Sequence, residues 1–114
     1  MIEEGQIILF PFPTTDQRPG KLRPALVLRQ CPTQYEDWLI CMISSQLVQQ
    51  VPDIDEIILE SDGDFGSSGL KQASVIRVSR LAVVNQAIFL GTTGKIADDR
   101  LVRLKQRFVS WILG

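Results

Sequence analysis

Gln6-Ile7-Ile8-Leu9-Phe10-Pro11-Phe12, then Pro13-Thr14-Thr15-Asp16-Gln17-Arg18-Pro19-Gly20, then Lys21-Leu22-Arg23-Pro24-Ala25-Leu26-Val27-Leu28, is the stretch that decides the fold. The first run is short, apolar and rich in β-branched and aromatic residues, which suits a pleated strand and is too short for a packed helix. The middle run is dense in turn formers and reads as a loop. Pro24 to Leu28 reads as a second strand, with Pro24 at its opening position, where a missing N–H does least harm. Strand, loop and strand in close succession begin a sheet of short strands.

The pattern continues downstream. Gln30 to Asp37 is polar and contains a proline, hence a turn. Trp38 to Ser44 is apolar enough for a strand buried on both faces, and Ile54 to Glu60 reads as a fourth strand. Ser61 to Gly69 carries three glycines and three serines and is expected to be a mobile loop. Ser74 to Leu81 alternates, with Val75, Arg77 and Ser79 set against Ile76, Val78 and Arg80; Ala82 to Gly91 holds a further strand at Ala87-Ile88-Phe89-Leu90.

At the end the period changes from two to that of a helix. Asp98 is the expected N-cap, and Asp99 adds a second acid near the positive end of the helix dipole. Leu101, Leu104, Phe108 and Trp111 or Ile112 recur on one stripe, with Arg100, Arg103, Lys105 and Arg107 outside it. Trp111 is accordingly expected in the core. Many short strands and one amphipathic C-terminal helix define a mainly β (α+β) fold or an all-β barrel.

Composition bounds the chemistry. A chain of 114 residues, 45% hydrophobic and 22% charged, reads as one globular domain over residues 1–114. No apolar run approaches the roughly 18–20 residues of a membrane span, so a soluble cytoplasmic protein with no membrane association is expected. There is no histidine, which excludes Ser-His-Asp and Cys-His systems and histidine-pair ribonucleases. Cys31 and Cys41 lack the spacing of a zinc knuckle, and no metal site or cofactor is expected. Buried free thiols are their ordinary fate, with a disulfide between them the alternative.

Net charge is –1, but its distribution is uneven. Arg18, Lys21, Arg23 and Arg29 form one all-positive stretch; Lys71, Arg77, Arg80 and Lys95 form another; six carboxylates fall between Asp53 and Asp64. A basic face able to concentrate a phosphate backbone is the functional expectation, with the acidic segment bounding it.

The motifs Gly5-Gln6-Ile7-Ile8, Phe12-Pro13-Thr14-Thr15, Lys21-Leu22-Arg23-Pro24-Ala25-Leu26-Val27-Leu28 and Ile43-Ser44-Ser45-Gln46 resemble the MazF/PemK family of type II toxins. A weaker resemblance extends through Ser74-Val75-Ile76-Arg77-Val78-Ser79-Arg80-Leu81 and Gly94-Lys95-Ile96. The resemblance implies an SH3-like small barrel of about six to seven strands, a homodimer, and ribosome-independent, metal-independent cleavage of single-stranded RNA at short motifs. It also implies a cognate antitoxin whose acidic, disordered tail neutralises the toxin, with DNA bound only through that antitoxin. The family's two principal catalytic groups map to Arg23 and Ser44. Phe12, Gln17, Lys21, Ser45, Gln46 and Arg77 are the matching RNA-binding candidates, and Tyr35 could stack on a base if exposed.

The chemistry suits those residue types. In-line attack by a ribose 2′-OH needs no protein nucleophile; it needs fixed geometry and donors on the phosphoryl oxygens. Arginine supplies two donors in a planar fork. Some relatives carry a histidine where this chain has Gln17, and an aspartate where it has Ser79. Without them the general base is unassigned, Asp16 being the nearest carboxylate in sequence. Two alternatives therefore stand beside the ribonuclease: a non-catalytic RNA- or protein-binding barrel, and a gyrase poison resembling CcdB, which would use an exposed Trp111.

Overall fold

The computed structural model describes residues 1–11 and 22–114. Its strands are β1 (Gln6–Pro11), β2 (Leu22–Gln30), β3 (Asp37–Ser44), β4 (Glu56–Ile58), β5 (Ser74–Asn85) and β6 (Thr92–Lys95). Two helices, α1 (Phe65–Ser68) and α2 (Asp98–Leu113), complete it, with short 3-10 turns at Leu47–Gln49 and Gln86–Ile88. The strands form one antiparallel sheet in the order β4-β5-β3-β2-β1-β6, curled into a half-barrel with the C-terminal helix against it.

Both faces of the central strands are buried, which is why their sequences run apolar without alternation. Ile7, Leu26, Leu28, Cys41, Ile43, Ile76 and Val78 point to the face that carries α2 and pack with Leu101 and Leu104. Ile8, Phe10, Ala25, Val27, Trp38, Ile40 and Met42 point to the other face. Each fully buried Leu or Ile contributes about 1.5–3 kcal/mol relative to exposure. Pro24 pairs with Leu9 of β1, while the ladder to β3 starts only at Ala25. The proline thus sits where β2 is still an edge toward β3.

The half-barrel is drawn together at its edges by the segment after β4. Ser67 Oγ donates to Lys95 O at 3.0 Å, and Thr93 Oγ1 donates to Ser68 O at 2.9 Å. The backbones approach so closely that a Cβ on Gly94 would lie 2.0 Å from Ser67 O, and Gly69 adopts a φ of +73° that favours glycine. The glycine- and serine-rich stretch expected to be mobile is instead the clasp between β4 and β6.

Four other expectations are corrected. The fourth strand shortens to Glu56–Ile58, because Asp55 turns inward and Leu59 N donates to Asp62 Oδ2 at 2.9 Å to start a turn. The apolar run at 87–90 is no strand: Gln86–Ile88 forms a 3-10 turn, capped by Asn85 Oδ1 on Ala87 N, and the strand comes later as β6. Ala97 rather than Asp98 is the N-cap of α2, leaving Asp98 and Asp99 in the first turn. Trp111 is 58% exposed, because the buried positions of α2 (Arg100, Leu101 and Leu104) all lie in its first half.

Part of the acidic segment serves the helix rather than the surface. Arg100, 7% exposed, donates from Nε and Nη2 to both oxygens of Asp64 at 2.7 and 3.1 Å, from Nη1 to Glu56 Oε1 at 2.6 Å, and from Nη2 to Asp62 Oδ2 at 3.0 Å. Arg103 adds a second fork on Glu56. These carboxylates are spent on seating α2.

Burial alone raises the Asp64 carboxyl, but the Arg100 hydrogen bond, the Ala97 N–H and the Arg100 charge outweigh it and hold Asp64 below its ordinary value. A depressed carboxyl contributes stability above its unfolded value of about 3.9 and loses it as pH falls through the folded one. Arg100→Ala, which strands buried carboxylates, is expected to cost about 3–5 kcal/mol at neutral pH. In urea titrations the cost of Asp64→Asn should shrink as the pH drops below about 4.

Candidate functional site

The register of β2, β3 and β5 gathers the sequence candidates at one end of the sheet. Phe10 pairs with Arg23, Ala25 with Met42, and Met42 with Arg77, while Ser44 pairs with Val75. The β2–β3 ladder ends with Ala25 opposite Met42, and Arg23 and Ser44 each lie two residues beyond it on their own strands. Alternation puts Arg23 on the face of Ala25 and Val27, and Ser44 on that of Met42 and Ile40; Arg77, opposite Met42, shares it. Residues directly opposite have Cβ atoms roughly 4.5–5.5 Å apart, and diagonal neighbours roughly 7–8 Å. By alternation Arg23, Ser44 and Arg77 share the face opposite α2, toward the end of the β2–β3 ladder marked by Ala25 and Met42.

Each is presented differently. Arg23 is exposed, and among the described residues it makes no ion pair. Ser44 is half-buried, and its Oγ accepts from Gln46 N at 3.0 Å. That bond fixes the oxygen and leaves the hydroxyl hydrogen free to donate outward. Ser45 and Gln46 follow in the open. Arg77 is half-buried; its Nη1 donates to Gln49 Oε1 at 3.4 Å, a long contact, and its Nε is buried without a partner. Among the described residues it is the only buried side-chain nitrogen or oxygen so left. Two guanidinium forks and one outward hydroxyl are a set of donors suited to phosphoryl oxygens.

Other candidates are elsewhere or outside view. Phe12, Gln17 and Lys21, with Asp16, lie outside the described residues. Tyr35 is 60% exposed but sits in the turn at the far end of the β2–β3 hairpin. Arg29 is at the opposite end of β2 from Arg23, and Lys95 pairs with Glu3 at 3.6 Å beside β6. Gln49 and Asp55 escaped the sequence reading. Gln49 sits in a polar run without pattern, and Asp55 in an acidic run that resembles solvated surface; only the flanking Ile54 and Ile57 hinted at burial.

Cys41 is buried, and burial together with the Asp55 charge pushes its thiol up, so it is no nucleophile. Cys31 is partly exposed, and both thiols are free. Among the described residues no group of three or more His, Cys, Asp or Glu could hold a metal, and no helix is long and apolar enough to cross a membrane.

A curled antiparallel half-barrel with one C-terminal helix against it sets the class of fold. The family described as PemK-like, MazF-like toxin of type II toxin-antitoxin system matches residues 3–112, and the chain belongs to it. Its members are toxin endoribonucleases, so membership implies an RNA substrate and a cognate antitoxin. The fold is similar to that of the Mycobacterium tuberculosis toxin MazF-mt6, with a TM-score of 0.68 over 94% of this chain and 95% of that one, at 14% identity. No curated protein matches the chain.

The burial pattern separates the two β2–β3 residues in a denaturation experiment. Ser44→Ala orphans the Gln46 N–H and is expected to cost about 0.5–1.5 kcal/mol. Arg23→Ala, at an exposed and unpaired position, should change stability by less than about 0.5 kcal/mol.

Proposed function

We propose that the chain is a ribosome-independent, metal-independent endoribonuclease that cuts single-stranded RNA at short motifs in the cytoplasm. The observation that carries this is that Arg23, Ser44 and Arg77 share one face, with the Arg23 fork exposed and unpartnered among the described residues.

The 2′-oxygen of the ribose forms a bond to phosphorus while the bond from phosphorus to the 5′-oxygen breaks. This leaves a 2′,3′-cyclic phosphate and a 5′-hydroxyl. Arg23 and Arg77 stabilise charge on the phosphoryl oxygens, and Ser44 donates its hydroxyl hydrogen to one of them. The 2′-OH proton passes to a general base and the departing 5′-oxygen takes up a proton from a general acid or from water. Ser45 and Gln46, exposed beside Ser44, contact the neighbouring nucleotide, and Phe12, Gln17 and Lys21 are assigned to base choice. An antitoxin with an acidic disordered tail would neutralise the Arg23–Arg77 face by charge complementarity and coupled folding.

A homodimer is supported by the end of α2. Trp111, Ile112 and Leu113 are 58, 60 and 80% exposed, a contiguous apolar patch at a helix end. In a two-fold dimer the same patch is used by both copies, so an apolar end meets an apolar end. The same exposure favours one second reading, the CcdB-like gyrase poison, which requires in addition that Arg23 be dispensable.

Incubation of long single-stranded RNA with the protein in EDTA, beside Arg23→Ala, tests the assignment. Cuts at a recurrent short motif with 5′-hydroxyl ends, reduced at least about a hundredfold in the variant, are expected. Salt-sensitive RNA binding without cuts would falsify the enzyme reading in favour of a binding module; gyrase inhibition that survives Arg23→Ala would favour the poison. Separately, Trp111→Glu should shift the protein from dimer to monomer in sedimentation, and an unchanged dimer would place the interface elsewhere.

A further inference from the structure

β5 does not run straight past β3. Its register steps from Leu81, opposite Cys41, to Arg77, opposite Met42, so four residues of β5 pass for one of β3 and the strand bulges across Val78, Ser79 and Arg80. Asp55 sits against this bulge with no exposure. Its Oδ1 accepts from Ser79 N at 2.9 Å, and its Oδ2 accepts from Ser79 Oγ at 2.9 Å and from Val51 N at 2.8 Å. The β4–β5 ladder begins at Glu56 opposite Ile76, so the next position along sets Asp55 beside Arg77.

One carboxylate thus grips two pieces of chain that bear on the same arginine. Through Ser79 it holds the bulge two residues beyond Arg77. Through Val51 it holds the segment that carries Gln49, the residue Arg77 Nη1 contacts. Hydrogen bonds to a charged acceptor are shorter and stronger than neutral ones, which suits a fixed scaffold.

We infer that Asp55 is a positioning residue, which through Ser79 and Val51 aims the Arg77 guanidinium at the phosphate of the bound substrate. The inference rests on the ribonuclease reading for its substrate, but not for its geometry. It also gives Ser79 a role: its hydroxyl donates to Asp55 and helps hold the bulge. Misplacement of a substrate-binding group by about 1 Å can cost up to a hundredfold in rate. A displaced Arg77 should therefore lower kcat more than it raises KM.

A double-mutant cycle separates positioning from mere support. Ser79→Ala keeps the backbone bond to Asp55 and removes only the hydroxyl, so it should fold, with kcat about tenfold lower. Ser79→Thr should restore the rate. In an Arg77→Ala background, Ser79→Ala should cost nothing further. Equal losses in both backgrounds would mean that Asp55 only supports the fold, and would overturn the inference.

A second measurement needs no turnover: the Arg77 Nε–H resonance should move in Ser79→Ala and in Asp55→Asn. If it stays in place in both, the inference fails. If the wild-type protein does not cut RNA while that resonance moves, the ribonuclease reading falls and Asp55 remains the group that orients Arg77.

Discussion

The structure depends on one buried guanidinium. Arg100 lies at the start of α2 and binds Glu56, Asp62 and Asp64, which come from β4 and from the turn before α1. Burial by itself lowers the affinity of Arg100 for its proton; the Asp64 bond and charge, then Glu56 and Asp62, more than reverse this and raise it. A cation so enclosed is tolerable only when every face of the fork meets an acceptor. That condition fixes where the helix must begin, because Asp64 also accepts from Ala97 N, immediately before α2. The same Asp64 leads into α1, which reaches β6. Helix seat and closure of the half-barrel are therefore one constraint.

Seating α2 on one face leaves the other for function. The central strands bury apolar side chains on both faces, so their backbones are held rigidly by packing on either side. Arg23 and Ser44 emerge near the ends of β2 and β3, and Arg77 emerges within β5 just before its bulge. A rigid sheet leaves such groups little freedom to reorganise, which the proposed contacts to a phosphate would require. Asp55 belongs to the same logic. A bulge is a place where a strand re-aims a side chain, and a buried carboxylate is a strong way to hold one.

Some of this was legible along the chain. The apolar runs at 6–12 and 24–28, the two-sided run at 38–44 and the helical stripe of Leu101, Leu104 and Phe108 describe a small β fold closed by a helix. The Arg23-Pro24 pair and Ser44, read against a family pattern, pointed to positions near the ends of β2 and β3. The loop over 61–69 was misread because glycine and serine favour both mobility and close approach, and only the partner strand distinguishes them. Trp111 was misread because periodicity shows which face of a helix is apolar, not how far along that face the sheet extends.

What the sequence determined by itself is local: strands where β-branched and apolar residues cluster, turns where proline and glycine do, a helix where the period changes, and the absence of histidine chemistry. Which charges are surface and which are structural was decided only by the tertiary fold. Asp55, Glu56, Asp62 and Asp64 look alike in the chain, yet one orders a bulge and three enclose Arg100. The energy of a charge depends on its solvent exposure and on the groups brought against it from distant segments. A linear reading contains neither.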